Sequence, residues 1–214
     1  MDYIDKLEKI IKDNNGTILT SQLKKYGIPR VYLTKLVSKG KLERVQRGVY
    51  VDLDSIEDEM YYMQKKYSEL IYSHETALYL HDLTDRTPFE YSATVASGYK
   101  VVENISNKFK IYYIKKELHN LGIEKKSTIF GNIIKTYDIE RTICDIVRSR
   151  NRVDIQIFNV ALKRYAKMSS ADFTLLNEYA KKLNVSNIIK NYMEVLIWEK
   201  MLWVKSKNKK HSKW

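Results

Sequence analysis

The chain has 214 residues, of which 44% are hydrophobic, with a net charge of +12 and one cysteine, Cys144. That is enough apolar surface for one large or two small packed domains, and a lone cysteine excludes an internal disulfide or a cysteine-rich zinc site. No apolar run approaches the ~20 residues of a membrane-spanning helix, and the acidic, amphipathic start MDYIDKLEKI is unlike a signal or transit peptide. A soluble, cytoplasmic protein with an anionic partner is therefore expected.

The charge is unevenly placed. Residues 1–52 carry 11 basic and 6 acidic side chains, residues 53–198 carry 21 and 19, and residues 199–214 carry 6 and 1. The excess lies at the two ends, so a search for the anion's binding surface starts at the N-terminus.

Asp2 is placed to cap a first helix, in which Ile4, Leu7, Ile10 and Ile11 recur at helical spacing, and Asn14-Asn15-Gly16 ends it. Thr17-Ile18-Leu19 is short and β-prone. Thr20 or Ser21 can cap a second helix from Gln22 to Tyr26, closed by Gly27. Pro29 suits the first turn of a third helix reaching about Lys39, because its missing N–H costs nothing there. In that helix Leu33, Leu36 and Val37 share one face and are expected to pack inward. The opposite face presents Val31, Thr34, Lys35 and Ser38, with Arg30 and Lys39 at its margins. Hydroxyls, a cation and a small apolar group suit the base edges and thymine methyls of a major groove. The same set would also serve as a solvated face on a small helical domain.

The segment after this helix favours DNA. Leu42–Val45 and Val49–Val51 are β-prone runs around Gln46-Arg47-Gly48, the pattern of a tight hairpin with glycine in its loop. Its tip presents Arg47, with Arg44 on the adjoining strand. Between Leu19 and Tyr50 there are eight basic residues, Lys24, Lys25, Arg30, Lys35, Lys39, Lys41, Arg44 and Arg47, and one acid, Glu43. Three helices and a basic hairpin make a winged helix-turn-helix. The DNA-binding set is Lys24, Arg30, Val31, Thr34, Lys35, Ser38, Lys39, Lys41, Arg44 and Arg47.

Asp54 is placed to cap a helix from Ser55 to about Tyr67, whose Met60, Tyr61, Met63 and Tyr67 read as a packing stripe. A helix over Ser73–Leu83, with Ser73 as its N-cap, leads into a polar loop. The period then changes, and strands are expected over Tyr91–Ala96, Lys108–Lys115 and Ile129–Tyr137. Asp138 can cap a helix through Val147. Further helices are expected at about Val153–Lys167, Ala171–Lys182 (with Ser169 and Asp172 resembling a capping box) and Ser186–Val204. The fold class is α+β: a winged helix-turn-helix domain over 1–54, an α+β domain of a small sheet with several helices over 55–204, and a basic tail over 205–214.

With the winged unit in place, the run SHETALYLHDLTDRTP and the segment TYDIERTICDIVR, Thr136 to Arg148, resemble the AbiEi family across both domains. These are antitoxins and repressors of type IV abortive-infection toxin–antitoxin systems. The resemblance implies binding to inverted repeats in the protein's own promoter through the winged domain. It implies that the second domain is needed to counteract a nucleotidyltransferase-type toxin, without a stable complex being required. It leaves the oligomeric state open, including cooperative binding of monomers on DNA, and it implies no cofactor.

Other classes are weighed against this. His74 and His81, with Glu75, Asp82 and Asp85 nearby, could be imagined in a metal-dependent nuclease, yet HExxH, Cys/His ligand spacing and a Walker-type loop are all missing. No metal site and no catalytic residue are therefore expected, and Cys144 in its helix reads as a buried structural thiol. His74, Glu75, Asp85 and Arg86, with Arg141 and Asp145 of the second signature, are expected to form a polar network or to face a partner. A protein-interaction module is the remaining alternative, but it leaves the arginines of the hairpin tip unexplained.

Overall fold

A computed structural model describes residues 2–196 of the chain. It is an α+β protein of two compact units: one takes residues 1–69 with 125–134, the other residues 70–124 and the chain from 135 onward. The basic tail expected at 205–214 lies outside the described residues, as does the end of the helix expected to reach Val204.

In the first unit, α1 (Tyr3–Asp13) opens on a capping box in which the Asp2 carboxylate accepts from the first turn while Asp5 reaches back to the Asp2 N–H. After β1 (Thr17–Leu19), α2 (Thr20–Tyr26) begins one residue earlier than a Thr20 cap would allow. Leu19 holds the cap position and has no polar side chain to offer, so Gln22 compensates by accepting from the Leu19 N–H at 2.8 Å. Then come α3 (Val31–Ser38), β2 (Leu42–Gln46) and β3 (Val49–Asp52). β3 lies between β1 and β2, antiparallel to both. Leu7, Ile10, Ile11, Ile18, Leu23, Leu33, Leu36 and Leu42 form the core beneath them.

The next helix, α4 (Glu59–Lys66), starts four residues later than Asp54 would have set it, because the capping carboxylate is that of Asp58. Asp58 is 2% exposed. One of its oxygens accepts from the Tyr61 N–H, and the other accepts from the Thr128 hydroxyl and the Asn132 amide at the turn of a distant hairpin. Asn132 in turn accepts from the Asn15 amide. A carboxylate this buried is tolerable only with its lone pairs filled, and the partners arrive from more than sixty residues away. Asp54 instead sits in a turn, its N–H donating to Asp52.

Most of a five-stranded sheet belongs to the second unit, and its residues within 125–134 belong to the first. Its strands are β4 (Ile71–Tyr72), β5 (Tyr91–Ala96), β6 (Phe109–Ile114), β7 (Ile123–Ser127) and β8 (Ile133–Tyr137), in the order β6-β5-β4-β8-β7. β5 and β6 run parallel, as do β4 and β8, while β4 and β5 are antiparallel. β4 is too short to show a period. β7 is an edge strand carrying Lys125 and Lys126, the charged composition that protects edges and hides them in a sequence. The strand expected from Ile129 begins only at Ile133, because 128–132 form the hairpin turn.

Helices α5 (His74–Leu80), α6 (Glu103–Ser106), α7 (Lys116–His119), α8 (Ile139–Arg148), α9 (Ile155–Lys167) and α10 (Phe173–Lys182) complete the unit. A 3-10 turn (Arg150–Arg152) lies between α8 and α9, and residues 186–196 are helical. Asp138, Asp154 and Asp172 each cap their helix through the side chain, so Asp172 is itself the N-cap rather than the partner of Ser169. Ile143, Cys144, Ile146 and Val147 of α8 pack with Phe158, Leu162 and Tyr165 of α9 and Leu176 of α10.

Replacing Asp58 with Ala should destabilise the protein by about 3 kcal/mol, since it removes a helix cap and strands two buried donors. Urea unfolding of the parent and variant measures this, and a loss within 0.5 kcal/mol (roughly the scatter of a neutral surface change) would refute the role assigned to the carboxylate.

Candidate nucleic-acid interface

The outward surface of α3 is decided by the packing of its other side. Leu33 and Leu36 are each 1% exposed, and Tyr32 rests against Tyr3 with ring centroids 5.0 Å apart. Tyr32 turns the inward face of the helix toward positions 32, 33 and 36. Val37, expected in the core, therefore sits at the margin and is 37% exposed. Val31, Thr34, Lys35 and Ser38 form one exposed stripe, with Arg30 and Lys39 exposed at its ends. These positions lie at i, i+3, i+4 and i+7, on one side of the helix. The Lys35 ammonium lies 4.9 Å from the centroid of the Tyr32 ring. The Ser38 hydroxyl donates to the Lys35 carbonyl at 2.9 Å, which leaves its oxygen as an acceptor.

The hairpin behind α3 is held at its base. Val49 and Val51 of β3 and Leu42 of β2 are buried. Gln46 at the end of β2 donates to the Met63 sulfur and accepts from Lys66, both on α4. The turn is Arg47-Gly48, and Gly48 takes φ +80°, where a side chain would be strained. Pairing slips between Glu43 and Gln46, a bulge of the kind that re-aims side chains. Arg44 stands in that bulge and Arg47 at the tip, both exposed.

Among the described residues, Lys24, Arg30, Lys35, Lys39, Arg44 and Arg47 are exposed and have no ion-pair partner. Lys41 differs. Its ammonium is 2.7 Å from Glu8, and that hydrogen bond and charge raise its pKa. The pair is exposed, and exchanging its carboxylate for a phosphate costs little.

The six polar residues singled out in the second unit fall in three places. Arg141 is fully buried: its Nε donates to Asp145 at 3.1 Å, Nη1 donates to the carbonyls of Leu118 and Leu121, and the guanidinium lies over the Tyr137 ring at 4.2 Å. Gly122 comes so close that a Cβ there would lie 2.8 Å from the Arg141 Cβ. His74 is buried, and Glu75 pairs with Lys110 at 3.1 Å. Asp85 and Arg86 stay at the surface, tied to α9 through Arg164 and through Gln156 and Asp154. Cys144 is buried, with its thiol pKa pushed up by desolvation and neighbouring acids. Among the described residues no three His, Cys, Asp or Glu side chains gather as a metal site would need, and no helix is long and apolar enough to cross a membrane.

Residues 5–51 match the family model described as "Transcriptional regulator, AbiEi antitoxin". This N-terminal segment is thus similar to the AbiEi family. The match spans α1 through the hairpin, and so contains every residue of the surface just described. It supports a DNA-binding antitoxin role for the AbiEi segment. Over 91% of this chain and 80% of the other, the structure is similar to that of the RV2827C protein from Mycobacterium tuberculosis, with a TM-score of 0.59 and 9% identity. At that identity the likeness is one of fold. No curated protein matches the chain.

Beyond the AbiEi segment, Asp138 caps α8 by accepting from the Arg141 N–H, and the Tyr179 hydroxyl donates to its other oxygen. Burial raises its carboxyl from 3.8 to about 6, with the two hydrogen bonds opposing the rise. The folded chain therefore holds this proton to higher pH than the unfolded chain does. The group's contribution to stability is fullest below about pH 4 and is lost as pH rises through about 6. Asp138→Asn keeps a capping oxygen, so the variant should lose this fall in stability. Melting temperatures of both proteins between pH 4 and 7 test it, and parallel curves would refute the assignment.

Proposed function

We propose that the chain is the autorepressor and antitoxin of a type IV toxin–antitoxin system, acting in the cytoplasm without catalysis of its own. Its winged unit binds inverted repeats in its own promoter. The observation that carries this is the contiguous run of unpaired cations and hydroxyls on α3 and the hairpin, lying wholly inside the AbiEi-matched segment.

α3 enters the major groove. Lys35 and Arg30 reach guanine acceptors, Thr34 and Ser38 bond base edges, and Val31 touches a thymine methyl. Lys39 and Lys24 lie at the groove's edges. Arg44 and Arg47, with Lys41 once released from Glu8, take the phosphate backbone or the adjoining minor groove. The second unit counteracts a nucleotidyltransferase-type toxin without needing a stable complex. The support for that part is the resemblance of SHETALYLHDLTDRTP and TYDIERTICDIVR to AbiEi proteins.

Replacing Lys35, Arg44 and Arg47 together with Ala should weaken binding to the promoter fragment by roughly a hundredfold or more, with no change in melting temperature. Unchanged affinity in a gel-shift assay would sink the interface. Arg44→Ala with Arg47→Ala should make the line of log K against log salt shallower by about 1.8, two phosphate contacts at ~0.9 each.

In cells carrying the toxin, the triple variant should lose repression yet still protect. Loss of protection at matched protein levels would show that DNA binding and neutralisation cannot be assigned to separate units.

A further inference from the structure

Within the second unit, between the end of α8 and β6, lies a cleft of about 330 Å³ that the DNA surface does not use and that meets the Arg141 clamp only at Asp145. Its wall is an aromatic stack. The His74 ring lies on the Tyr112 ring with centroids 3.4 Å apart and planes 9° apart, and the Arg152 guanidinium is 4.2 Å from the Tyr112 centroid. His74 is held at φ +48°, a costly conformation for a side chain of this size.

Three hydroxyls fix its imidazole. Thr94 donates to the Ser73 oxygen at 2.8 Å, so the Ser73 proton is directed to His74 Nδ1 at 2.9 Å. In the tautomer that accepts at Nδ1, the ring proton is on Nε2 and is donated to the Ser149 oxygen, 3.1 Å away. Burial, and next the charges of Arg141, Arg152, Lys110 and Arg148, hold the His74 pKa well below its ordinary value, so the ring stays neutral. The Ser149 hydroxyl keeps its own proton for a further acceptor.

A second unpaired hydroxyl belongs to a residue of the cleft wall. Tyr112 is 4% exposed, and its oxygen has no hydrogen-bond partner among the described residues. A buried phenol left unpaired is costly unless something fills the place. Charge points the same way. Asp145, also at the cleft, is answered by Arg141, whereas Arg148 and Arg152 have no ion-pair partner among the described residues. Two guanidiniums and the Ser149 hydroxyl suit a phosphate group. The volume is near the lower end of ligand pockets, ~300 Å³, which favours a small molecule over a polymer.

We propose that this cleft is a binding site for a small phosphate ester, of the size of a nucleoside monophosphate. Arg148 and Arg152 hold its phosphate, and the Ser149 hydroxyl donates to it. The neutral His74 acts as a positioning residue that keeps the Ser149 proton pointed outward. The proposal is independent of the DNA-binding reading of the first unit.

The test uses the full chain, titrated calorimetrically with each of the four ribonucleoside monophosphates, their nucleosides and inorganic phosphate. At least one monophosphate should bind saturably at one site per chain and raise the unfolding temperature. Its nucleoside should not bind, and inorganic phosphate should bind more weakly. Arg148→Ala with Arg152→Ala should lower affinity at least tenfold and leave operator binding unchanged. Should loss of the Arg152 stack disturb folding, Arg148→Ala with Ser149→Ala gives the same readout. No saturable binding by any of the four, equal affinity in the variants, or a nucleoside that binds as well as its phosphate would overturn the proposal. So would variants that lose operator DNA instead, because the arginines would then serve the nucleic-acid backbone.

Discussion

A charge taken out of water has to be answered within a few ångströms, and that constraint sorts the many ionic side chains of this protein by role. Arg141 shows its strict form: a guanidinium with no exposed surface, held by one carboxylate, two carbonyls and an aromatic face. Those partners come from α7, the turn after it, β8 and α8 itself, so a single cation ties four neighbouring pieces of the second unit into one arrangement. Asp58 does the same in the first unit, joining the start of α4 to the 128–132 turn. Where ions are buried and held in this way, even with the Arg141 Nη2 left without a partner among the described residues, their function is architectural.

The complement is as informative. On α3 and the hairpin the cations stand in water with no carboxylate beside them, and solvation makes that inexpensive. Such charges contribute little to folding and are available to a polyanion. The apolar side of the same elements is kept small and rigid: Leu33, Leu36 and Tyr32 beneath the helix, Val49 and Val51 beneath the hairpin. A helix of eight residues with only three inward side chains can present a nearly continuous outward face. The contact of Gln46 with Met63 and Lys66 then fixes the hairpin's base, so the tip arginines are presented from a braced support.

The sequence was most legible where one local rule dominates. Helix caps at Asp2 and Asp138, the turn at Gly48 and the strands β5 and β6 all arise from short-range signals of capping, φ preference and period. It was least legible where the deciding partner is remote. The cap of α4 moved from Asp54 to Asp58 because of Thr128 and Asn132. β7 was hidden by the lysines of an edge strand, and Val37 was displaced from the core by the Tyr3–Tyr32 contact. The Arg148-Ser149-Arg150-Asn151-Arg152 run was not singled out, because nothing in its spacing announced that Tyr112 and His74 would face it.

By itself, then, the sequence determined the winged unit and its exposed basic face, because amphipathic spacing, turn glycines and charge clustering are local properties. The runs that carry the family resemblance are contiguous too, but they lie in the second unit, whereas the family-model match falls on residues 5–51. Only the tertiary structure decided which polar residues belong together: Arg141 with Asp145 and two distant carbonyls, Asp58 with a hairpin turn, Arg148 and Arg152 with an unpaired phenol. Those groupings are set by burial, and burial depends on segments that meet across the fold rather than along the chain.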